Sequence, residues 1–208
     1  MNLPNKLTCL RMIMIPFFLF FLVFPEVLGF TTSRLLGAAL FGITAITDML
    51  DGKIARKYGL VTDFGKFMDP LADKLMVFGA MFGILILNRE DPALLFPCCS
   101  TAASVVFSKV FLWCAFIIVF RELAVTSMRM VVSSAEGIVI AANIFGKLKT
   151  VSQIIGIVII ILEPIVIDHF FNTYLIASYF ACAVMVATTL FSGFSYFKAY
   201  WPYINSNK

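Results

Sequence analysis

DMLDGKIARKYGLVTDFGKFMDPLAD, residues 48–73, is unlike the rest of the chain it sits in. Of its five carboxylates, four stand at ordered spacing, Asp48, Asp51, Asp69 and Asp73, together with Gly52, Gly65 and Arg56, in a protein that is 61% hydrophobic. An ionisable side chain at membrane depth costs several kcal/mol unless it is paired or hydrated, so a cluster of them points to function. Four acids at ordered spacing suggest more than one divalent cation. Cations beside an arginine suggest a phosphate substrate.

The surrounding chain sets the environment. Its 208 residues have a mean hydropathy of +0.98, more apolar surface than a water-soluble domain of this length can bury. The class is therefore all-α integral membrane protein. A helical span needs about 20 largely apolar residues. Six segments qualify or nearly so: 7–30, 35–49, 71–87, 105–120, 151–167 and 174–197. The second and third are short because polar residues invade their ends. Continuing helix two through Arg56 and starting helix three near Phe67 repairs both, and leaves their polar ends lining a protected cleft.

Charge sets the orientation. Lys6, Arg11, Lys53, Arg56, Lys57, Lys66, Arg121, Arg129, Lys147, Lys149, Lys198 and Lys208 fall at the termini and at the 2–3 and 4–5 connections. The other side has Arg34 and Arg89, with Lys109 entering helix four, and the acids Glu26, Glu90, Asp91, Glu163 and Asp168. The positive-inside rule puts both termini and residues 48–73 in the cytoplasm, with the chain multi-pass in the cell membrane. The net charge of +4 is this bias, and nothing in it calls for nucleic acid. The first apolar run is too long for a signal sequence and reads as a retained helix. Five scattered cysteines without CxxC spacing indicate neither zinc nor a disulfide framework. Residues 1–208 read as one helical domain.

Asp48 and Asp51 are three apart, and Asp69 and Asp73 four apart, so each pair shares a helix face. With Gly59 allowing the chain to reverse between them, two antiparallel helix ends would present four carboxylates to one volume. Such a set repels itself unless cations compensate, and all-oxygen ligands favour Mg²⁺ or Mn²⁺. The single histidine, His169, falls on the opposite side. Gly52 and Gly65 let a ligand approach the backbone, and Arg56 offers a planar fork for phosphate. The plainer reading, ion pairs at a solvated loop, suits Asp63, Lys57 and Lys66 better than the four spaced acids.

The pattern Asp48-x2-Asp51-Gly52-x2-Ala55-Arg56-x8-Gly65-x3-Asp69-x3-Asp73 resembles, without gap or substitution, the signature of the CDP-alcohol phosphotransferases. The resemblance implies that family's fold of six transmembrane helices, usually as a homodimer, and attack of an alcohol on the β-phosphate of a CDP-linked donor with release of CMP. It implies that Asp48, Asp51, Asp69 and Asp73 surround two Mg²⁺ or Mn²⁺ ions, with Asp73 also the general base. Asp51, Gly52, Ala55, Arg56 and Gly65 would line the CDP site. Asn5 and Thr8, opening helix one, resemble polar positions near the nucleotide in this family, though a helix cap explains them equally.

A wider resemblance, through MNLPNKLTCLRM, GKFMDPLADKLMV, RELAVTSMRMV from Arg121 and GKLKTVSQ from Gly146, is to the bacterial members that join CDP-diacylglycerol to sn-glycerol 3-phosphate. A phosphate-bearing acceptor needs cations beyond Arg56. Arg121, Arg129, Lys147 and Lys149 are the candidates. Arg121 and Arg129 are about two helical turns apart, on one face by that count, whereas Lys147 and Lys149 diverge if helical. Anchoring at lipid headgroups is the competing role for all four. Glu122 either orients Arg121 or is a solvated neighbour. Gly79 and Gly83 form a small-xxx-small pattern that serves a dimer contact or intrachain packing.

Related activities with the same catalytic stretch are cardiolipin, phosphatidylinositol-phosphate and phosphatidylserine synthesis. From a different class, a small cation transporter would also bury carboxylates, but nearer the bilayer midplane on broken helices.

Overall fold

The computed structural model describes residues 3–58, 62–90, 100–136, 144–170 and 175–204. They form six long helices: α1 (Leu3–Val23), α2 (Phe30–Tyr58), α3 (Asp63–Glu90), α4 (Thr101–Glu136), α5 (Ile144–Phe170) and α6 (Ile176–Ile204). Each contains a segment long and apolar enough to cross a membrane, and together they make a multi-pass membrane protein. Phe20, Trp113, Phe116, Phe120, Phe180, Phe191 and Phe194 are exposed, as lipid-facing positions on such helices are.

Several boundaries differ from those read off hydropathy. Helix one ends at Val23 rather than running to residue 30, because Pro25 cannot continue it and opens a 3-10 turn, Pro25–Val27. Gly29 then takes a left-handed conformation (φ 83°), and α2 starts at Phe30, earlier than residue 35. Its far end does run through Arg56, to Tyr58. Helix three begins at Asp63, four residues before Phe67, because Thr62 caps it: the Gly65 N–H donates to Thr62 Oγ1 at 3.1 Å. Helix four, expected over 105–120, spans Thr101–Glu136. Its extension packs Val125 and Val132, seven apart on one face, against Tyr196 and Tyr200 of α6.

The helices pack as two trios. One has α1 lying between α2 and α3, which scarcely touch each other; the other has α6 between α4 and α5. Contacts of α2 with α5, and of α3 with α4 and α5, join them. The small-residue pattern of α3 serves the first trio: a β-carbon added at Gly83 would lie 3.0 Å from Leu22 Cδ2 and 3.2 Å from Leu19 Cδ2, and one at Gly79 3.3 Å from Leu19 Cδ1. The close approach this pattern permits is therefore used within the chain, by α1. In the second trio polar pairs cross between α5 and α6, Ser152 with Thr188 at 2.7 Å and Gln153 Nε2 donating to Thr189 Oγ1 at 3.1 Å. Away from residues 48–73, the Glu163 carboxylate of α5 accepts the Ala177 and Ser178 N–H groups at 2.9 and 2.7 Å and so caps α6. At that same end Arg34 donates to the Ile161 carbonyl at 3.1 Å and stacks over Phe30.

Candidate active site

The site begins on α1. Asn5, Thr8 and Arg11 follow one another at three-residue steps, each beside the next along the helix surface, and are all buried. Thr8 Oγ1 donates to Asp69 Oδ1 on α3 at 2.7 Å. Asn5 Oδ1 accepts from Thr62 Oγ1 at 2.9 Å, and a β-carbon added at Gly65 would lie 3.4 Å from each of those oxygens. One turn further along, the guanidinium of Arg11, fully buried, forms an ion pair with Asp48 Oδ1 on α2. The antiparallel hairpin of α2 and α3 expected from the spacing is thus not a direct pairing. A third helix stands between them and touches a carboxylate of each.

Asp48 still lies near enough to Asp69 and Asp73 to feel both charges. Asp51, Gly52, Ala55 and Arg56 occupy the last two turns of α2, and their side chains lie outside the described residues. Asp73 lines a cleft that it shares with Lys74, Val77, Phe78, Glu122, Lys149, Thr150 and Gln153. Its Oδ1 is buried with no hydrogen-bond partner.

The basic residues separate into two kinds. Lys149 is buried and its ammonium pairs with Glu122 Oε1; Arg121 Nη1 donates to that same oxygen at 2.9 Å. Arg121 Nη2 also reaches Ser192 Oγ on α6 at 2.5 Å, and its guanidinium lies over Tyr196. Gly193 gives the stem room, since a β-carbon there would sit 3.0 Å from Arg121 Cγ. Glu122 is therefore no solvated neighbour: it ties a cation of α4 to one of α5. Arg129 and Lys147 are exposed and are not brought to this cleft. Eight residues amount to about 80° beyond two turns, which carries Arg129 off the Arg121 face, and two residues turn Lys147 about 200° from Lys149.

Among the described residues no three Asp, Glu, His or Cys side chains stand together closely enough to hold a metal. The chemistry of the donors nonetheless fits a hard divalent cation. Asp48, Asp69 and Asp73 offer only carboxylate oxygen, and the partnerless buried Oδ1 of Asp73 is an acceptor with no protein donor to satisfy it.

Sequence reading missed Arg11, taken there as a topological charge, along with Thr62, Gln153 and Ser192. The signal for Arg11 was available: Asn5, Thr8 and Arg11 make a polar stripe at helical period on an otherwise apolar helix.

The chain is similar to known proteins over most of its length. Residues 1–192 match the family described as CDP-alcohol phosphatidyltransferase. A Bacillus subtilis protein named CDP-diacylglycerol–glycerol-3-phosphate 3-phosphatidyltransferase is 36% identical over 99% of this chain and 98% of its own length. One of the same name from Rickettsia felis is 32% identical over 95% of this chain and 94% of its own. A probable phosphatidylglycerophosphate synthase of Mycobacterium tuberculosis is 35% identical over 77% of this chain and 66% of its own. With the motif on the ends of α2 and α3 and matches running nearly end to end, the chain belongs to the CDP-alcohol phosphatidyltransferase family.

Proposed function

We propose that this protein transfers the phosphatidyl group of CDP-diacylglycerol to sn-glycerol 3-phosphate, giving phosphatidylglycerophosphate and CMP. The observation that supports it best is the cleft joining Asp73 to Lys149 and Glu122, because it sets a carboxylate near a buried cation suited to a phosphate-bearing acceptor. Full-length similarity to proteins named for this reaction supports it too.

In this reading the acceptor's phosphate rests on Lys149 and Arg121, and its hydroxyl reaches Asp73. As the hydroxyl oxygen bonds to the β-phosphorus, its proton passes to Asp73, and the bond from that phosphorus to the bridging oxygen breaks, with CMP leaving on the electron pair. Asn5, Thr8, Asp51, Gly52, Ala55, Arg56 and Gly65 hold the CDP moiety. Dependence on divalent metal is general in this family. Asp48, Asp51, Asp69 and Asp73 would hold two Mg²⁺ or Mn²⁺ ions, which when bound neutralise the diphosphate and the departing CMP. Arg129 and Lys147, facing outward, suit anionic headgroups. The positive-inside distribution supports a cytoplasmic position for the site and both termini, and the family resemblance supports a homodimer.

The test is to incubate purified protein with CDP-diacylglycerol, Mg²⁺ or Mn²⁺ and separate acceptors, then to measure CMP and identify the lipid. Glycerol 3-phosphate should release CMP. Release with phosphatidylglycerol or inositol phosphate, and none with glycerol 3-phosphate, overturns the assignment.

A further inference from the structure

Arg11 is the least expected charge in the molecule. It lies within an apolar span, its side chain is 0% exposed, and its ion-pair partner is Asp48 Oδ1, an oxygen of the motif's first carboxylate. An arginine cannot shed its proton to relieve burial, so the charge is permanent. Three residues earlier on the same face, Thr8 holds Asp69. Between them, two side chains of α1 position carboxylates on two helices that scarcely touch.

A buried ion pair that served only to hold α1 to α2 need not involve this oxygen. Asp48 already carries the repulsion of Asp69 and Asp73. Four motif carboxylates match the charge of two divalent ions, and Arg11 adds one positive charge beyond that match. A metal-loaded site is then electropositive until an anion enters it, and a cation approaching Asp48 meets the guanidinium at close range in a medium that screens poorly.

We propose that Arg11 is a positioning residue whose fixed charge couples divalent-metal binding at the motif carboxylates to binding of the donor's diphosphate. Metal alone binds weakly, because Arg11 competes for Asp48. The diphosphate supplies the negative charge that lets guanidinium and metal share the site. The two ligands thereby strengthen each other by one reciprocal factor. The proposal rests on reading these carboxylates as the metal site.

The experiment is Mn²⁺ binding to purified full-length protein in detergent, followed by the electron paramagnetic resonance of free Mn²⁺, with and without CDP as the probe for the donor's headgroup. In the native protein CDP should tighten Mn²⁺ binding by about tenfold or more. Arg11→Gln, which removes the charge, should tighten Mn²⁺ binding without CDP by about tenfold and shrink the effect of CDP correspondingly. Arg11→Lys keeps the charge and should behave as the native protein does. An Arg11→Gln protein that binds Mn²⁺ no tighter than the native one, or an Arg11→Lys protein that binds it as tightly as Arg11→Gln does, overturns the coupling while leaving the transfer reaction untouched. Absence of Mn²⁺ binding to the native protein both with and without CDP overturns the metal site itself. Should Arg11→Gln not survive purification as a monodisperse species, the native protein decides: equal Mn²⁺ affinity with and without CDP refutes the proposal.

Discussion

Replacing Lys149 by glutamine tests the acceptor assignment most directly. The ammonium is nearly inaccessible, lies on the cleft with Asp73, and pairs with Glu122. A charge-assisted hydrogen bond of this kind contributes about 1.5–3 kcal/mol. At about 1.4 kcal/mol per decade, its loss should lower kcat/KM for glycerol 3-phosphate by about 10- to 150-fold. The fold should tolerate the change, because Arg121 still holds Glu122 at 2.9 Å and the carboxylate is not left alone. Lys147→Gln supplies the comparison: it removes an equal charge from the same helix, but from an exposed side chain turned away from the cleft. It should alter kcat/KM by no more than about twofold. The assay is initial-rate CMP release with glycerol 3-phosphate varied at saturating CDP-diacylglycerol, then with the donor varied. If Lys149→Gln left the acceptor's kcat/KM unchanged, if both variants lost it equally, or if the donor's KM rose as far as the acceptor's, Lys149 would not be an acceptor ligand.

Four further outcomes are expected. Asp73→Asn should abolish CMP release while keeping Mn²⁺-dependent CDP binding, measured by calorimetry; a variant that has lost its fold would show Asp73 to be structural instead. Thr8→Val preserves shape but removes the 2.7 Å hydrogen bond to Asp69, and should raise the Mn²⁺ concentration for half-maximal activity by about tenfold, with unchanged thermal unfolding. Gly156→Val should destabilise by about 1–3 kcal/mol, seen as a lower melting temperature in detergent, since an added β-carbon would sit 2.6 Å from the sulfur of fully buried Met185. Gly42→Ala, with nothing within 4 Å of the new carbon, should leave the melting temperature unchanged or raised.

Much of the architecture was legible in one dimension because membrane insertion is local physics. A helix that must satisfy its own backbone in lipid declares itself by about twenty apolar residues, and the six spans follow. Boundaries were less legible. The end of α1 at Pro25 and the Thr62 cap on α3 depend on single residues, and α4 continues past its apolar run because Val125 and Val132 find Tyr196 and Tyr200, a contact no hydropathy profile contains.

The spacing from Asp48 to Asp73 by itself put the two carboxylates of each pair on one helix face, since helical period fixes which residues share a face, and the full residue pattern carried the family resemblance. Only the tertiary structure decided what stands among them. It set α1 between the two halves of the motif, turned Arg11 from a topological charge into a partner of Asp48, and brought Lys149 and Arg121, but not Lys147 and Arg129, to Glu122. A basic residue near a membrane surface reads the same in sequence whether it faces headgroups or a buried carboxylate. The difference lies in which helix packs beside it, and that is settled by side chains far away in the chain, such as the leucines at 19 and 22 that fit the glycines at 79 and 83.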